Sequence, residues 1–252
     1  MLMLSSASVS QASAPAPGVA QTLARERAAQ IHNLRYTINA ALDADATALQ
    51  GSLAIRVEVK EAAAVTLDYR PPSEARASEW MINGTAFEAV ISNDHVVLAA
   101  GLIKAGANEV LLRFSAPVTP SGGALTRYTD QLDGARYVYS LFVPSDASTM
   151  FPCFDQPDLK AVWSLSLTVP QHWRAVSNGP LRGLFAKDGV MRLDFGDTRP
   201  LPTYLFAFAA GPFAQISRAP NSGAEGKQIR WQWARIAEIE THHAVFRKET
   251  TQ

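Results

Sequence analysis

Five histidines and a single cysteine set the limits of the metal and nucleophile chemistry open to this chain of 252 residues. A zinc hydrolase site of the H-E-x-x-H kind needs two histidines at i and i+4 on a helix, with a glutamate between them as base. None of His32, His95, His172, His242 and His243 has another histidine four positions away. His242 and His243 are adjacent, and adjacent helical side chains diverge by about 100°, so that pair reads as a solvated helix face. Cys153 alone can make neither an intrachain disulfide nor a cysteine-rich zinc site. Its setting, Phe151-Pro152-Cys153-Phe154, is apolar and raises a thiol's pKa, which predicts a buried structural residue and not a nucleophile. Asp155 and Asp158 flank Pro157. Paired carboxylates can do acid–base work, but around a proline they more commonly shape turns. Asn83-Gly84-Thr85 matches a glycosylation sequon and is first of all a tight turn. Trp231 and Trp233, with Arg230 and Arg235, have the types of a stacking platform for single strands. No G-x-S-x-G, phosphate loop or dinucleotide fingerprint occurs. The residues taken alone assemble no complete active site.

Charge narrows the partners. Lysine plus arginine is 23 and aspartate plus glutamate is 23, a formal net charge of zero. A nucleic-acid binder carries a basic excess, so the Trp231 and Trp233 pair is expected to pack in a core. Apolar residues are 47% and charged residues 18%, which is globular composition. No apolar run reaches membrane-spanning length; residues 201–216 come nearest and are broken by Pro202, Gly211 and Pro212. Residues 1–18 are rich in Ser, Ala and Pro, and Ala12-Ser13-Ala14 has the look of a signal-peptidase site without a basic segment before it. They read as a disordered start or the remnant of an export signal. The second reading implies a periplasmic or secreted protein, the first a cytoplasmic one.

The elements that position these residues are mostly strands. Residues 21–31 predict a short helix, with Leu23, Ala24, Ala28 and Ile31 on one stripe and Arg25, Glu26 and Arg27 mostly away from it. Beyond that, period two dominates. Leu53, Ile55, Val57 and Val59 alternate with Ala54, Arg56, Glu58 and Lys60. The same alternation runs through 109–114, 163–169, 191–195 and 229–233. Asn93-Asp94, Asp188-Gly189 and Asp133-Gly134 supply turns between such runs. The continuous apolar run at 205–209 predicts a central strand. Many short strands with turn punctuation predict an all-β fold, a sandwich of antiparallel strands. From Ile236 the spacing of Ile236, Ile239, His243 and Phe246 predicts a helical tail. The expected division is 1–18 as the start, 19–235 as the β domain and 236–252 as the tail.

The stretch 137–169, YVYSLFVPSDASTMFPCFDQPDLKAVWSLSLTV, resembles the N-terminal domain of the aminopeptidase N family of zinc metallopeptidases. Its strongest element runs from Phe151 to Ala161, similar to the family's P-C-F-D-[EQ]-P-x-x-K-A segment. GALTRYTDQLDG before it is similar to G-L-x-R-[YF]-x-D. Ala175-Val176-Ser177-Asn178-Gly179 after it is similar to A-V-S-N-G/M, and TRPLPTYLFAFAAGPF at 198–213 is similar to a family strand. Order and spacing agree over roughly residues 33–218.

This resemblance implies a β-sandwich or saddle that packs beside a thermolysin-like catalytic domain holding the zinc. The family's G-[AG]-M-E-N and H-E-x-x-H motifs are absent from the sequence, so no zinc is expected in this chain. Family members often carry Q-x-E shortly before P-C-F-D, where it lines the pocket for the substrate's free amine. Ungapped alignment puts those positions at Leu141 and Val143, whose side chains accept no hydrogen bond. Both are expected to be packing residues. The leading expectation is a non-catalytic N-terminal domain, cut short by biology or by gene prediction. The alternatives are one piece of a working aminopeptidase completed by another chain or longer transcript, and a free-standing sandwich that binds a ligand. Expected partners are a catalytic domain or a second copy, through Phe142, Val143, Met150, Phe151, Phe154, Ile236, Ile239 and Phe246 left exposed; a peptide substrate enters only in the full-length context.

Overall fold

Alternating runs form strands where the pattern places them. The computed structural model describes residues 14–217 and 231–234. Helix α1 (Gln21–Gln30) feeds directly into β1 (Ile31–Ala41), followed by β2 (Ala48–Val59), β3 (Val65–Asp68), β4 (Arg76–Ile82), β5 (Thr85–Ala86), β6 (Ile91–Ser92) and β7 (His95–Leu98). Next come β8 (Gly106–Pro117), β9 (Leu125–Thr129), β10 (Arg136–Ser140), the single turn α2 (Ala147–Met150), β11 (Val162–Pro170), β12 (Arg174–Ser177), β13 (Leu181–Lys187) and β14 (Val190–Phe195). The last are β15 (Phe208–Gly211), β16 (Ala214–Ser217) and β17 (Trp231–Ala234). The helical tail expected from Ile236, the segment 1–13 and the side chains of Trp231 and Trp233 lie outside what is described.

An eight-stranded sheet has the order β13-β14-β11-β1-β2-β8-β4-β5, and a four-stranded sheet the order β12-β15-β10-β9. Smaller sheets are β3-β7-β6 and β16-β17. In β11, Trp163, Leu165, Leu167 and Val169 are buried while Ser164, Ser166 and Thr168 are half-buried, the alternation of a strand with one face in a core. Ile38, Leu53 and Leu165 of the large sheet share one apolar cluster with Val138, Ala175 and Phe208 of the four-stranded sheet. The all-β sandwich is therefore as expected. Hairpin turns also fall where their sequences put them. Asn83-Gly84, Asn93-Asp94 and Asp188-Gly189 all have positive φ at both positions, the backbone twist that a two-residue hairpin needs.

Two features differ from expectation. β1 and β11 pair in parallel, with Arg35 opposite Val162 and Ala41 opposite Thr168, so the sheet is mixed and not wholly antiparallel. Alternation reports which face is buried and carries no information on strand direction. The strand expected at 205–209 begins later. Thr203–Leu205 is a 3-10 turn, Leu205 is exposed, and β15 starts at Phe208, between β12 and β10. The Asn178 side chain takes the Leu205 carbonyl at 3.1 Å and the Ala207 N–H at 2.6 Å, which removes the groups a strand ladder would use.

Helix α1 is attached by charge as much as by apolar contact. Its buried residues are Leu23 and Arg27, and Ala28 is exposed, so the expected apolar stripe is replaced by one leucine and one arginine. The Arg27 guanidinium grips Asp68 at the end of β3 with both nitrogens, at 2.9 and 2.7 Å. Its Cζ lies 5.7 Å from the Phe154 ring centroid. Both partners are nearly fully enclosed, at 4% and 6% side-chain exposure. Removing one member of a buried pair costs about 3–5 kcal/mol, because the other charge stays buried and uncompensated. Asp68 also accepts the Asp155 N–H at 2.7 Å. We therefore expect Asp68→Ala to destabilise by about 3–5 kcal/mol and Arg27→Met by less. Urea unfolding of both variants checks this; an equal or larger loss for Arg27→Met would refute the ordering.

Candidate functional site

The segment around Cys153 is fixed from both sides of its backbone. Cys153 forms a two-way bridge with Asp68, through Asp68 N–H to Cys153 O at 2.8 Å and Cys153 N–H to Asp68 O at 3.0 Å. Phe154 N–H donates to the Tyr36 hydroxyl at 2.9 Å. The Tyr36 ring stacks on Trp163 at 4.1 Å, and Trp163 on Phe206 at 4.4 Å. Gln156 donates to the Ala24 carbonyl of α1 at 3.0 Å and to Asp158 at 2.9 Å. Burial pushes the Cys153 thiol up, and the charges of Asp155 and Asp68 push it further, against the opposing effect of Arg27. A thiol so placed is inert, as its sequence setting predicted. Burial likewise raises the Tyr36 phenol.

The two aspartates of this segment part company. Asp155 is buried and accepts Thr203 Oγ1–H at 2.6 Å and Ser148 N–H at 3.1 Å. Burial raises its pKa, while the Thr203 and Ser148 hydrogen bonds act the other way. Asp158 is exposed, and its carbonyl accepts the Lys160 N–H at 3.1 Å in a turn. One carboxylate is sealed in and the other faces water, so they do not form an acid–base pair across a cleft. The sequon is also structural: Asn83 Nδ2 donates to Leu102 O and Asn108 Oδ1, and Asn83 Oδ1 accepts the Glu109 N–H.

Other sequence segments converge here. Ala161 bridges Leu201 in both directions, and Trp163 Nε1–H donates to Leu201 O at 3.2 Å. Thr198 Oγ1 accepts the Trp163 N–H at 3.1 Å. Ser177 and Asn178 hold the chain at 205–207. Gly179 lies so close to Gly196 that a Cβ would sit 2.1 Å from the Gly196 carbonyl oxygen, a contact no side chain tolerates.

Leu141 and Val143 follow β10 and stand in solvent, at 52% and 54% exposure. They are not the packing residues the sequence suggested. The alternation of β10 continues past the strand's end: Val138, Ser140 and Phe142 point inward, Tyr139, Leu141 and Val143 outward. That period was legible in the sequence. Phe142, Met150, Phe151 and Phe154, expected at an exposed interface, are all buried; Phe151 packs edge-on against Phe142 and Phe114, both with centroids 5.8 Å away. Ile236, Ile239 and Phe246 lie outside the described residues. Among the described residues no group of three or more His, Cys, Asp or Glu is arranged to hold a metal ion, so they do not fit a zinc site. His95 was weighed in the sequence only as half of a zinc-binding pair, and its burial was not expected. It is 1% exposed, with Nδ1 3.1 Å from Asp68 Oδ1.

Comparison with known proteins gives this arrangement its family. The Peptidase M1 N-terminal domain matches residues 32–205, more than half of the chain. Aminopeptidase N of Streptomyces lividans is 29% identical over 202 residues, covering 77% of this chain and 23% of that protein. Aminopeptidase N of Acetobacter pasteurianus is 31% identical over 191 residues, covering 72% of this chain and 53% of that protein. The chain thus spans between about a quarter and a half of these relatives. The crystal structure of an M1 zinc metallopeptidase from Deinococcus radiodurans superposes with a TM-score of 0.63 at 22% identity, covering 81% of this chain and 47% of the other, and so has the same fold. The paired Asp68 and Cys153 backbones, the Tyr36 hydroxyl under Phe154 and the Thr203 contact to Asp155 all fall inside the matched residues, and the chain belongs to the Peptidase M1 N-terminal domain family.

Proposed function

We propose that this chain acts as the non-catalytic N-terminal domain of an aminopeptidase N-like zinc metallopeptidase, in a reaction that hydrolyses the N-terminal residue from peptides. One observation carries the reading: the family's signature residues here are consumed by the fold. Cys153, Asp155 and Gln156 are buried, and Asp155 and Gln156 spend their polar atoms on neighbouring protein groups. A catalytic zinc needs three protein ligands and an open position, and the sequence holds no H-E-x-x-H. On this reading zinc, base and oxyanion donor belong to a catalytic domain. Residues 19–235 form the β domain that abuts it, with Leu141 and Val143 at the positions that face the substrate's amine. The alternative that another chain completes a working enzyme places the same residues at the same junction. Exposure of two adjacent outward apolar side chains after β10 supports a junction there.

The purified chain is expected to carry no stoichiometric zinc and to leave aminoacyl-amide substrates intact. Metal analysis giving about one zinc per chain, together with chelator-sensitive hydrolysis, would overturn the reading. In a complex with a matching catalytic domain, Leu141→Gln with Val143→Glu is expected to lower the Michaelis constant. An acceptor facing a bound ammonium is worth about 1.5–3 kcal/mol, or roughly ten-fold or more in affinity. A constant that stays put or rises would remove these positions from the substrate pocket.

A further inference from the structure

The face of the eight-stranded sheet turned away from the apolar cluster carries a depression of about 620 Å³. Strand register sets its residues in two rows. One row runs Arg76, Ser115, Gln50, Ala41, Thr168 and Arg192, from β4 through β8, β2, β1 and β11 to β14. The row beside it runs Arg113, Ser52, Asn39 and Ser166 over the strands between. From β4 to β14 is five strand steps, roughly 24 Å at about 4.8 Å a step. Short polar side chains make the floor. Arg76 and Arg113 stand at one end and Arg192 at the other.

The lining holds three guanidinium groups and no carboxylate. Glu79 and Asp194 stand just outside it and take Arg113 and Arg192 at 2.7 and 2.8 Å, in each case through Nε. Those contacts leave the terminal nitrogen pair of each fork, an edge that matches a carboxylate. Arg76 donates to the carbonyls of Ser73 and Ala75 and, among the described residues, forms no ion pair. Between the ends lie hydroxyls and amides. Gln50 Nε2–H donates to Ser115 Oγ at 2.9 Å, and Asn39 Nδ2–H to Ser52 Oγ at 3.5 Å. Hydroxyls and amides both donate and accept, so the floor can answer a ligand rich in hydroxyls while the ends call for negative charge. Phe114, the aromatic residue of the lining, is buried on the core side, so a nucleobase finds no stacking platform. The floor side chains are polar or small, so peptide side chains find no apolar pocket.

We propose that this face binds an acidic oligosaccharide, a sugar chain carrying carboxylates, laid across the strands from Arg76 and Arg113 to Arg192. The arginines take the carboxylates, and Gln50, Ser52, Asn39 and Ser166 take the ring hydroxyls. Arg113 and Arg192 are more than half exposed, so each contact is modest and screened by salt. Affinity therefore comes from several contacts spread along the chain of sugars. This surface does not depend on the aminopeptidase reading.

Amide NMR of the full chain, titrated with a linear galacturonate hexamer, tests it. The hexamer is expected to shift the amides of Gln50, Ser52, Ser166 and Thr168 together, with one Kd that rises with added salt. Its fully methyl-esterified counterpart keeps the hydroxyls and loses the charge, and should not bind. A glutamate hexapeptide keeps the charge and loses the ring hydroxyls, and should bind about ten-fold more weakly or worse. Arg76→Gln and Arg192→Gln should each raise the Kd for the galacturonate hexamer about three-fold or more. No shift at these amides, an ester that binds as well, a glutamate hexapeptide that binds as tightly, or either arginine variant binding like the parent chain would each overturn the proposal. If Arg76→Gln fails to fold, Arg192→Gln and the two comparison ligands still decide it.

Discussion

A carboxylate without water around it must have its charge met by the protein, and Asp68 is surrounded by three distant parts of the chain. Arg27 comes from α1, the Asp155 N–H from the signature segment, His95 from β7, and the backbone of Asp68 itself is pinned by Cys153. Isolating such a charge costs several kcal/mol, which only a complete set of partners offsets. The position of the helix, the hairpin and the signature segment is therefore decided together. None can move without leaving a buried group unmatched.

The family signature thus finds its cause in folding. Phe154 N–H needs the Tyr36 hydroxyl, Tyr36 is held by its stack on Trp163, and Trp163 is held by Leu201 and Thr198. Asp155 reaches Thr203 in the same later segment. Segments that resemble the family at separate points of the sequence are neighbours in space. A change at one is felt at the others through shared hydrogen bonds, and unmatched buried N–H groups cost about 1–3 kcal/mol each.

Strand positions were legible because burial of one face writes a period of two into the residues themselves, as in 53–59 and 163–169. Hairpin turns were legible because Asn-Gly and Asp-Gly tolerate positive φ. The Asp68 cluster was not legible. Arg27 is 41 residues from Asp68 and 129 from Gln156 in the chain, and each alone looks like an ordinary surface residue. Burial of Arg27 in place of Ala28 has the same origin: tertiary pairing overrode the helix's own pattern. The exposure of Leu141 and Val143 was written in the alternation 138–143, but their apolar character suggested the opposite. The parallel β1–β11 pairing is invisible to periodicity for a different reason, since a strand reads alike in either direction.

That parallel pair bears on how the protein comes off the ribosome. β1 emerges early, and its antiparallel neighbour β2 follows within a short loop, but its other edge stays open until β11 has been made, since Arg35 pairs with Val162. Throughout that interval the nascent sheet presents a strand of eleven residues, Ile31–Ala41, with one row of backbone donors and acceptors unmatched. Such an edge is a template for pairing with another chain, and pairings between distant segments close slowly. The vulnerable period of this protein is set by translation speed between the two strands, so slower synthesis lengthens exposure to aggregation even though β11 covers Arg35 to Ala41 of that edge in the finished sheet.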